Sequence, residues 1–249
     1  MSGAASIDLN ADVGEGCGYD GQLIPLVTSV NIACGAHAGD ASTMRSALAL
    51  ALASGAAIGA HPGFEDPGFF GRREMPVAPG AAAALVEGQV GRLVREAAAL
   101  GGQVGHVKLH GALYNMVSRD PGLACAVAEA LRGSGLVLYA LAGSALASAG
   151  AAAGLCVVGE AFADRAYLAD GSLAPRSEPG SVFEEESRAA QQALSVARDG
   201  FVVGRSGERV RVDAGTICIH GDRPGSAGFA RRIREDLAHA GIAVRRPYV

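Results

Sequence analysis

His106-Val107-Lys108-Leu109-His110 is the stretch that decides the fold, because it combines a short apolar run with ionisable side chains at its carboxyl end. The same pattern occurs at residues 7–12, 30–37, 57–61 and 216–220. Short runs rich in Ile and Val that are followed by Gly, Pro or Asp are typical of buried strands in a parallel sheet. The sequence therefore predicts strands at these five places.

The polar residues at the ends of these runs are expected to meet. In parallel α/β folds the ligand lies beyond the carboxyl ends of the strands, so residues remote in sequence converge at one mouth. Four of the six histidines follow a predicted strand in this way, namely His37, His61, His110 and His220. We expect these imidazoles to line one cavity together with Asp12.

Helical patterns alternate with the strands. They cover residues 40–54, 79–100, 121–131, a segment that starts at Ser144, 181–198 and 226–240. The first has a candidate cap at Asp40 or Ser42, and the fifth opens with capping-box spacing in Ser181-Val182-Phe183-Glu184. Alternation of this kind predicts right-handed βαβ units.

Seven strands are predicted, near residues 7, 30, 57, 106, 137, 156 and 217. An irregular seven-stranded (β/α) barrel, similar to a TIM barrel, is the preferred fold, and a doubly wound open sheet is the alternative. Residues 201–212 alternate like an exposed hairpin and are interpreted as an insertion. With 249 residues, 49% of them hydrophobic, the chain is expected to form one domain over residues 1–249.

Composition excludes several classes of partner. The net charge of -4 and the lack of a lysine-rich segment argue against nucleic acid and against an anionic membrane. Glycines interrupt the uncharged residues 133–159, so these do not form a membrane span, and the residues before the first strand contain no secretory signal. Five cysteines without CxxC spacing predict a reduced, cytoplasmic setting.

Lys108 is unusual because 20 of the 21 basic side chains are arginine and it is the single lysine. An ammonium is a compact charge whose pKa responds to desolvation, whereas a guanidinium stays charged. We therefore expect Lys108 to be an unpaired, desolvated charge that contacts the substrate. On this interpretation Lys108→Met folds well, and Lys108→Arg loses activity.

Two loops are too elaborate for simple connections. Residues 61–72 place aromatic and acidic side chains among Gly and Pro, and residues 160–176 are long enough to cover the mouth of a barrel. Arg165 and Arg176, in the second loop, suit carboxylate or phosphate recognition. Their replacement by alanine is expected to weaken binding with little loss of stability.

Five segments, in order along the chain, resemble the signature segments of the LamB/YcsF family, the A subunits of prokaryotic 5-oxoprolinase. They are Leu-Asn-Ala-Asp-Val-Gly-Glu-Gly (9–16), Asn-Ile-Ala-Cys-Gly-Ala-His-Ala-Gly-Asp (31–40), Gly-Ala-His-Pro-Gly (59–63), Val-Lys-Leu-His-Gly-Ala-Leu-Tyr-Asn (107–115) and Glu-Ala-Phe-Ala-Asp-Arg (160–165). The resemblance runs from Ile7 to about Pro224 and so covers nearly the whole chain.

The resemblance implies ATP-dependent opening of 5-oxo-L-proline to L-glutamate, carried out with partner subunits B and C. It also implies a seven-stranded barrel related to the glycoside hydrolase and sugar deacetylase barrels, in agreement with the strand count. The chain contains no G-x-x-x-x-G-K-[ST] motif, so ATP is expected to bind in a non-standard way or partly on a partner.

Chemistry then suggests roles for individual residues. Lys108 would hold the carboxylate of 5-oxoproline or the developing oxyanion. The expected catalytic residues are Asp12, Glu15, His37, His61, Lys108 and His110. The expected substrate-binding residues are Asn10, Asn31, Asp40, Tyr114, Glu160, Arg165, Arg176 and His220.

Two other function classes remain open at this stage. In a metal-dependent amide or sugar deacetylase, Asp12, His37 and His61 would bind zinc as one carboxylate and two imidazoles. In a non-catalytic binding subunit, the same cavity would deliver a small acid to its partners. Metal analysis separates the first class from the ATP-dependent hydrolase.

Overall fold

Seven parallel strands close into a barrel. The structure, a computed structural model, describes residues 6–248. Each strand pairs with the next along the barrel, and the last pairs with both the sixth and the first. The barrel strands are β1 (Ser6–Val13), β2 (Ser29–Ala33), β3 (Ala57–His61), β4 (Val104–Lys108), β5 (Val137–Leu141), β6 (Val157–Phe162) and β9 (Thr216–Ile219). This closure confirms the predicted barrel and excludes the open sheet.

Helices connect the strands on the outside of the barrel. They are α1 (Asp20–Leu23), α2 (Ala41–Ser54), α3 (Pro79–Ala99), α4 (Gly111–Arg119), α5 (Pro121–Leu131), α6 (Ala145–Ala152), α7 (Glu186–Asp199) and α8 (Ser226–His239). Asp40 is the N-cap of α2, and its carboxylate accepts a 2.8 Å hydrogen bond from the backbone N–H of Thr43. This cap was one of the two starts predicted from the sequence.

The apolar core lies between the barrel and the helices. Side chains on a strand alternate between its two faces, and in β1 Leu9 and Ala11 belong to the core. Asp8, Asn10 and Asp12 point the other way, into the barrel, where all three are buried. The barrel interior is therefore polar, and it leads to the carboxyl ends of the strands.

Two predictions about elements were wrong, and one helix was missed. The helix predicted from residue 181 begins at Glu186, because Val182 pairs in an antiparallel bridge with Arg165 and holds the preceding backbone extended. The helix α4 was missed, since its residues were interpreted only as a family segment. Glu160 lies within β6 rather than in the loop that follows it.

The remaining strands lie outside the barrel. The predicted hairpin is confirmed as antiparallel β7 (Phe201–Val203) and β8 (Arg209–Arg211). Strand β10 (Ala243–Val244) adds to β1. Between residues 6 and 248 no helix is long and apolar enough to cross a membrane. The segment for which the sequence predicts no secretory signal lies mostly at residues 1–5, outside the described residues.

Candidate active site

The interior of the barrel holds two layers of polar side chains. In the layer nearer the amino ends of the strands, the Asp8 carboxylate accepts hydrogen bonds from hydroxyl groups of Thr28, Ser29, Tyr139 and Thr216. The layer above it is built around Lys108. Because the strands are parallel, this second layer forms the floor of the mouth.

Lys108 is paired on all sides. Its Nζ lies 2.8 Å from a carboxylate oxygen of Asp12 and 2.8 Å from one of Glu160, and only 1% of the residue is exposed. It also donates to Asn10 Oδ1 at 3.0 Å and to Cys218 Sγ at 2.9 Å. The expectation of an unpaired charge is wrong, because strands β1, β6 and β9 bring these partners together around the ammonium group.

These contacts fix the charge states of the layer. Burial opposes the charged ammonium, but Asp12, Cys218 and Glu160 hold the pKa of Lys108 well above its ordinary value. Burial likewise opposes the Asp12 carboxylate, yet His61 and Lys108 hold its pKa well below the usual range. Asp12 is therefore an ionised carboxylate buried beside an ionised lysine.

Neutral groups complete the second layer. The amide of Asn31 donates to Asn10 Oδ1 at 2.7 Å and to Asp12 Oδ1 at 2.9 Å. The hydroxyl of Tyr114, on α4, donates to Glu160 Oε2 at 2.7 Å. These side chains orient the carboxylates of the floor.

His61 and His110 meet above Asp12. His61 Nδ1 lies 2.8 Å from the carbonyl oxygen of Lys108, and His110 Nε2 lies 2.8 Å from the carbonyl oxygen of Phe70. The other two ring nitrogens face each other at 3.0 Å. His61 Nε2 is also 3.3 Å from Asp12 Oδ2.

His37 and Glu15 lie behind this pair. The ring of His37 stacks on His110 with centroids 3.7 Å apart and an interplanar angle of 3°. His37 Nε2 is 3.3 Å from Glu15 Oε1, which is 3.5 Å from His110 Nδ1. Burial lowers the pKa of His37 to about 3 and raises the pKa of Glu15 well above its ordinary value, the latter also because Asp12 is near.

The loop after β3 packs directly on the stacked rings. Phe70 adopts the left-handed conformation (φ 55°), which is uncommon for a bulky side chain, and its carbonyl accepts from His110. At the neighbouring Gly71 (φ 62°) a Cβ atom would lie 2.6 Å from the Cβ of His37. A glycine is therefore required for the loop to close over His37.

His220 and Asp164 form a dyad on the opposite side of the mouth. His220 Nδ1 lies 2.9 Å from Asp164 Oδ1. Although burial opposes the charge, His220 and Arg223 hold the pKa of Asp164 below its ordinary value, so this carboxylate accepts the Nδ1 proton. Burial lowers the pKa of His220, which leaves Nε2 as a lone pair suited to remove a proton.

The mouth opens into a cavity of about 720 Å³. Of the residues predicted for the site, it is lined by Asp12, His61, Lys108, His110, Tyr114, Arg165, Arg176 and His220. Arg72, which also lines the cavity, forms an ion pair with Asp222 and lies over the Phe70 ring. Arg176 is half-buried, and its guanidinium forms no ion pair within residues 6–248. It is available to an anionic ligand.

Six predicted residues do not line the cavity within the described part of the chain: Asn10, Glu15, Asn31, His37, Asp40 and Glu160. Five of them are buried around the floor or behind the histidines. Asp40 is apart from this group, since its carboxylate caps α2 at an exposed position.

Arg165 has a structural role that the sequence did not indicate. Its guanidinium donates to the carbonyl oxygens of Ala174 at 2.6 Å and Ser181 at 3.3 Å, and only 4% of the residue is exposed. It ties together the two ends of the loop that covers the mouth. Contrary to the expectation from the sequence, these contacts predict that removal of Arg165 lowers stability.

The predicted zinc ligands do not form one group. Donor atoms of Asp12, Cys218 and His220 lie within 4.8 Å of one another, and a separate group contains Glu15, His37, His61 and His110. The sequence missed the contributions of Asp164 and Cys218. Asp164 lies in the last family segment, which was its only signal, and Cys218 resembles any buried apolar cysteine.

Fold and site together define a seven-stranded (β/α) barrel with ionisable side chains gathered at the carboxyl ends of its strands. A family 4 carbohydrate esterase from Streptomyces lividans shares the fold at 13% identity, with a TM-score of 0.52 over 96% of this chain and 91% of that chain. The chain belongs to the LamB/YcsF family, whose sequence model matches residues 7–248. The resemblance found in five segments is thereby confirmed.

Two relatives match over nearly their whole length. The chain is 49% identical over 247 residues to a Bordetella pertussis (strain Tohama I) protein named as the A component of 5-oxoprolinase, covering 96% of this chain and 98% of that protein. It is similar to the crystal structure of a lactam utilization protein from Thermus thermophilus, with 45% identity, a TM-score of 0.89 and coverage of 96% and 99%.

Proposed function

We propose that this chain is the A component of an ATP-dependent 5-oxoprolinase and that it opens 5-oxo-L-proline to L-glutamate together with subunits B and C. The names of the two full-length relatives, which refer to 5-oxoprolinase and to lactam utilization, support this assignment. Because the reaction draws on ATP, we place the protein in the cytoplasm.

One observation carries the proposal. A buried carboxylate, Asp12, and a histidine whose Nδ1 proton is held by a second carboxylate, His220, lie at the floor of one cavity. Their donor atoms are within 4.8 Å of each other, together with Cys218. An ionised carboxylate beside a neutral imidazole is the combination that hydrolysis of an amide requires for moving protons.

The overall reaction consumes two waters and one ATP for each lactam. 5-Oxo-L-proline, ATP and two waters give L-glutamate, ADP and phosphate. The amide of a five-membered lactam is stabilised by resonance and its opening is unfavourable, so phosphorylation of the lactam oxygen makes the ring carbon open to attack by water. The carbon–nitrogen bond then breaks and the ring nitrogen takes a proton, which leaves an acyl phosphate. A second water hydrolyses this acyl phosphate to the carboxylate of glutamate and free phosphate.

The site supplies groups for each requirement. His220, oriented by Asp164, removes the proton from the attacking water. Lys108 keeps Asp12 ionised and in position, and does not itself hold the substrate, because its donors are already engaged. Arg176 is suited to bind the substrate carboxylate or a phosphate. ATP binding involves this arginine or a surface supplied by a partner.

The assay that tests the proposal measures glutamate release from 5-oxoproline with and without ATP. It is run with this chain alone, with subunits B and C alone, and with all three. We expect ATP-dependent release only when this chain is present with its partners. If the folded chain gives no release in any mixture, the assignment fails.

A second candidate, a metal-dependent amide or sugar deacetylase, is favoured by the group of Glu15, His37, His61 and His110. It predicts release of acetate from an N-acetylated sugar by the chain alone and without ATP. A third outcome, binding of 5-oxoproline by the chain with no turnover in any mixture, would indicate a non-catalytic binding subunit.

A further inference from the structure

The contact between His61 and His110 brings one nitrogen of each ring to 3.0 Å from the other. The outer nitrogen of each ring faces a backbone carbonyl oxygen, that of Lys108 for His61 and that of Phe70 for His110. A carbonyl oxygen only accepts hydrogen bonds, so each outer nitrogen carries its ring's proton. In neutral rings the two inner nitrogens, 3.0 Å apart, are then both lone pairs pointing at the same space, and Asp12 Oδ2 borders this space at 3.3 Å from His61 Nε2.

Two facing lone pairs at this distance repel each other unless a cation lies between them. A third donor is directed to the same place, because Glu15 Oε1 lies 3.5 Å from His110 Nδ1. We propose that Glu15, His61 and His110 bind a divalent transition-metal ion of the zinc class through Glu15 Oε1, His61 Nε2 and His110 Nδ1. Two imidazoles and one carboxylate are a ligand set that suits zinc and leaves further positions open.

The distances agree with such an ion. Bonds of about 2.0–2.1 Å from zinc to nitrogen and oxygen ligands place neighbouring ligands of a tetrahedron about 3.3 Å apart. The two measured separations, 3.0 Å between the imidazole nitrogens and 3.5 Å from His110 to Glu15, lie on either side of this value. Glu15, His61 and His110 each offer one donor atom, and these atoms lie within 4.8 Å of one another.

His37 contacts the ligands of the proposed ion and does not bind the ion itself. Its ring is parallel to that of His110 and 3.7 Å from it. An ion in the plane of one ring is therefore out of the plane of the other, and the two histidines do not share it. His37 Nε2 lies 3.3 Å from Glu15 Oε1 and donates to that carboxylate. Such outer contacts, like the two backbone carbonyls, orient the ligands of a metal.

The charge of the region also favours a cation. Two buried carboxylates contact the histidines, with Asp12 Oδ2 3.3 Å from His61 Nε2 and Glu15 Oε1 3.5 Å from His110 Nδ1. Lys108 is paired with Asp12 and forms no ion pair with Glu15. A divalent ion at Glu15 would stabilise the ionised form of this buried carboxylate. Since His61 and His110 line the cavity, its open positions would face the ligand.

The test is metal binding to the full-length chain without an affinity tag. Bound zinc is counted by elemental analysis after dialysis, its affinity is measured by competition with a chromophoric chelator, and cobalt substitution is followed by visible absorption. We expect one ion per chain and an absorption spectrum of cobalt in a low-coordinate nitrogen and oxygen site. His61→Gln and His110→Gln should lose the ion while keeping the far-ultraviolet circular dichroism of the parent.

Two further variants distinguish this site from other modes of binding. His37→Gln should keep one ion with affinity lower by about 10–100-fold, the usual cost of losing an outer contact. His239→Gln, which removes an exposed histidine on α8, should bind as the parent does. No stoichiometric ion in the parent, or unchanged binding in His110→Gln, would overturn the proposal and indicate that the two rings share a proton instead.

This inference does not rest on the proposed function, and the two fail separately. Turnover of 5-oxoproline by an assembled complex that never contains the ion would contradict the metal site and support the proposed function. Stoichiometric metal binding without turnover in any mixture would support the metal site and contradict the proposed function.

Discussion

Lys108 carries the single ammonium side chain of the protein and holds two buried carboxylates, Asp12 and Glu160, in place. Removing one member of a buried ion pair leaves an uncompensated charge, which is costlier than the pair itself. The stability of the barrel interior and the charge of Asp12 therefore depend on the same residue.

We predict that Lys108→Met destabilises the fold by about 3–5 kcal/mol, because it leaves two carboxylates without a cation in the barrel. Urea unfolding followed by circular dichroism measures the change. Arg45→Met, which breaks the exposed pair with Glu96, is the matched control and should leave the midpoint nearly unchanged. Equal unfolding midpoints for the two variants would show that the ion pairs of Lys108 do not contribute to the stability of the fold.

Asp164 is the residue on which the proposed base depends. In Asp164→Asn the neutral amide no longer fixes the proton on His220 Nδ1, so we expect turnover in the assembled complex to fall by on the order of a hundred- to ten-thousand-fold. Asp199→Asn, an exposed change at the end of α7, serves as the control. Normal turnover in Asp164→Asn would mean that His220 is not the base.

At the scale of elements, the segment between β6 and α7 is organised by Arg165. The guanidinium is buried and donates to backbone on both sides of the loop, at Ala174 and Ser181. Arg176 lies in the same segment, yet its head group faces the cavity. Two arginines of one loop thus have different tasks, one in folding and one in binding.

This difference gives a matched pair of variants. Arg165→Ala should lower the free energy of unfolding by about 2–4 kcal/mol, since two buried carbonyl groups lose a charged donor. Arg176→Ala should change it by less than about 0.5 kcal/mol while raising the KM for 5-oxoproline or ATP. Thermal unfolding and steady-state kinetics give the two quantities. Similar stability losses in both would contradict this division.

At the scale of the whole molecule, the barrel can close around its polar side chains only where the strands leave room for them. Gly59 in β3 is one of them, because a Cβ atom there would lie 2.0 Å from Nε2 of His106. His106 is held between Asn31 and the hydroxyl of Tyr248, which reaches it from the end of the chain at 2.5 Å. The polar interior therefore extends through the barrel to its other end.

We predict that Gly59→Ala destabilises the barrel by at least about 1–3 kcal/mol, the usual cost of overpacking an interior. Gly88→Ala, at an exposed helical position with nothing within 4 Å of the added methyl, is the control. It should be neutral or stabilising by about 0.5–1 kcal/mol, because alanine replaces glycine within a helix. A Gly59→Ala variant as stable as the control would show that His106 moves aside without cost.

The sequence by itself determined the barrel strands and the end of the barrel at which the site lies. All seven barrel strands were predicted, because buried parallel strands must be short, apolar and ended by turn residues, and this pattern is local. The convergence of Asp12, His61, His110 and His220 followed from topology, since parallel strands end at one mouth. The start of α7 was not predictable in the same way, because the pairing of Val182 with Arg165 competes with the local capping signal.

The tertiary structure alone decided which polar groups pair. Lys108 meets Asp12 across 96 positions of sequence, and His220 meets Asp164 across 56. The facing nitrogens of His61 and His110 depend on two carbonyl groups that the folded loop places behind the rings. Such contacts produce no periodic pattern in the sequence. The hydrogen bonds and charge states of these side chains depend on distances between residues that come together only when the barrel closes.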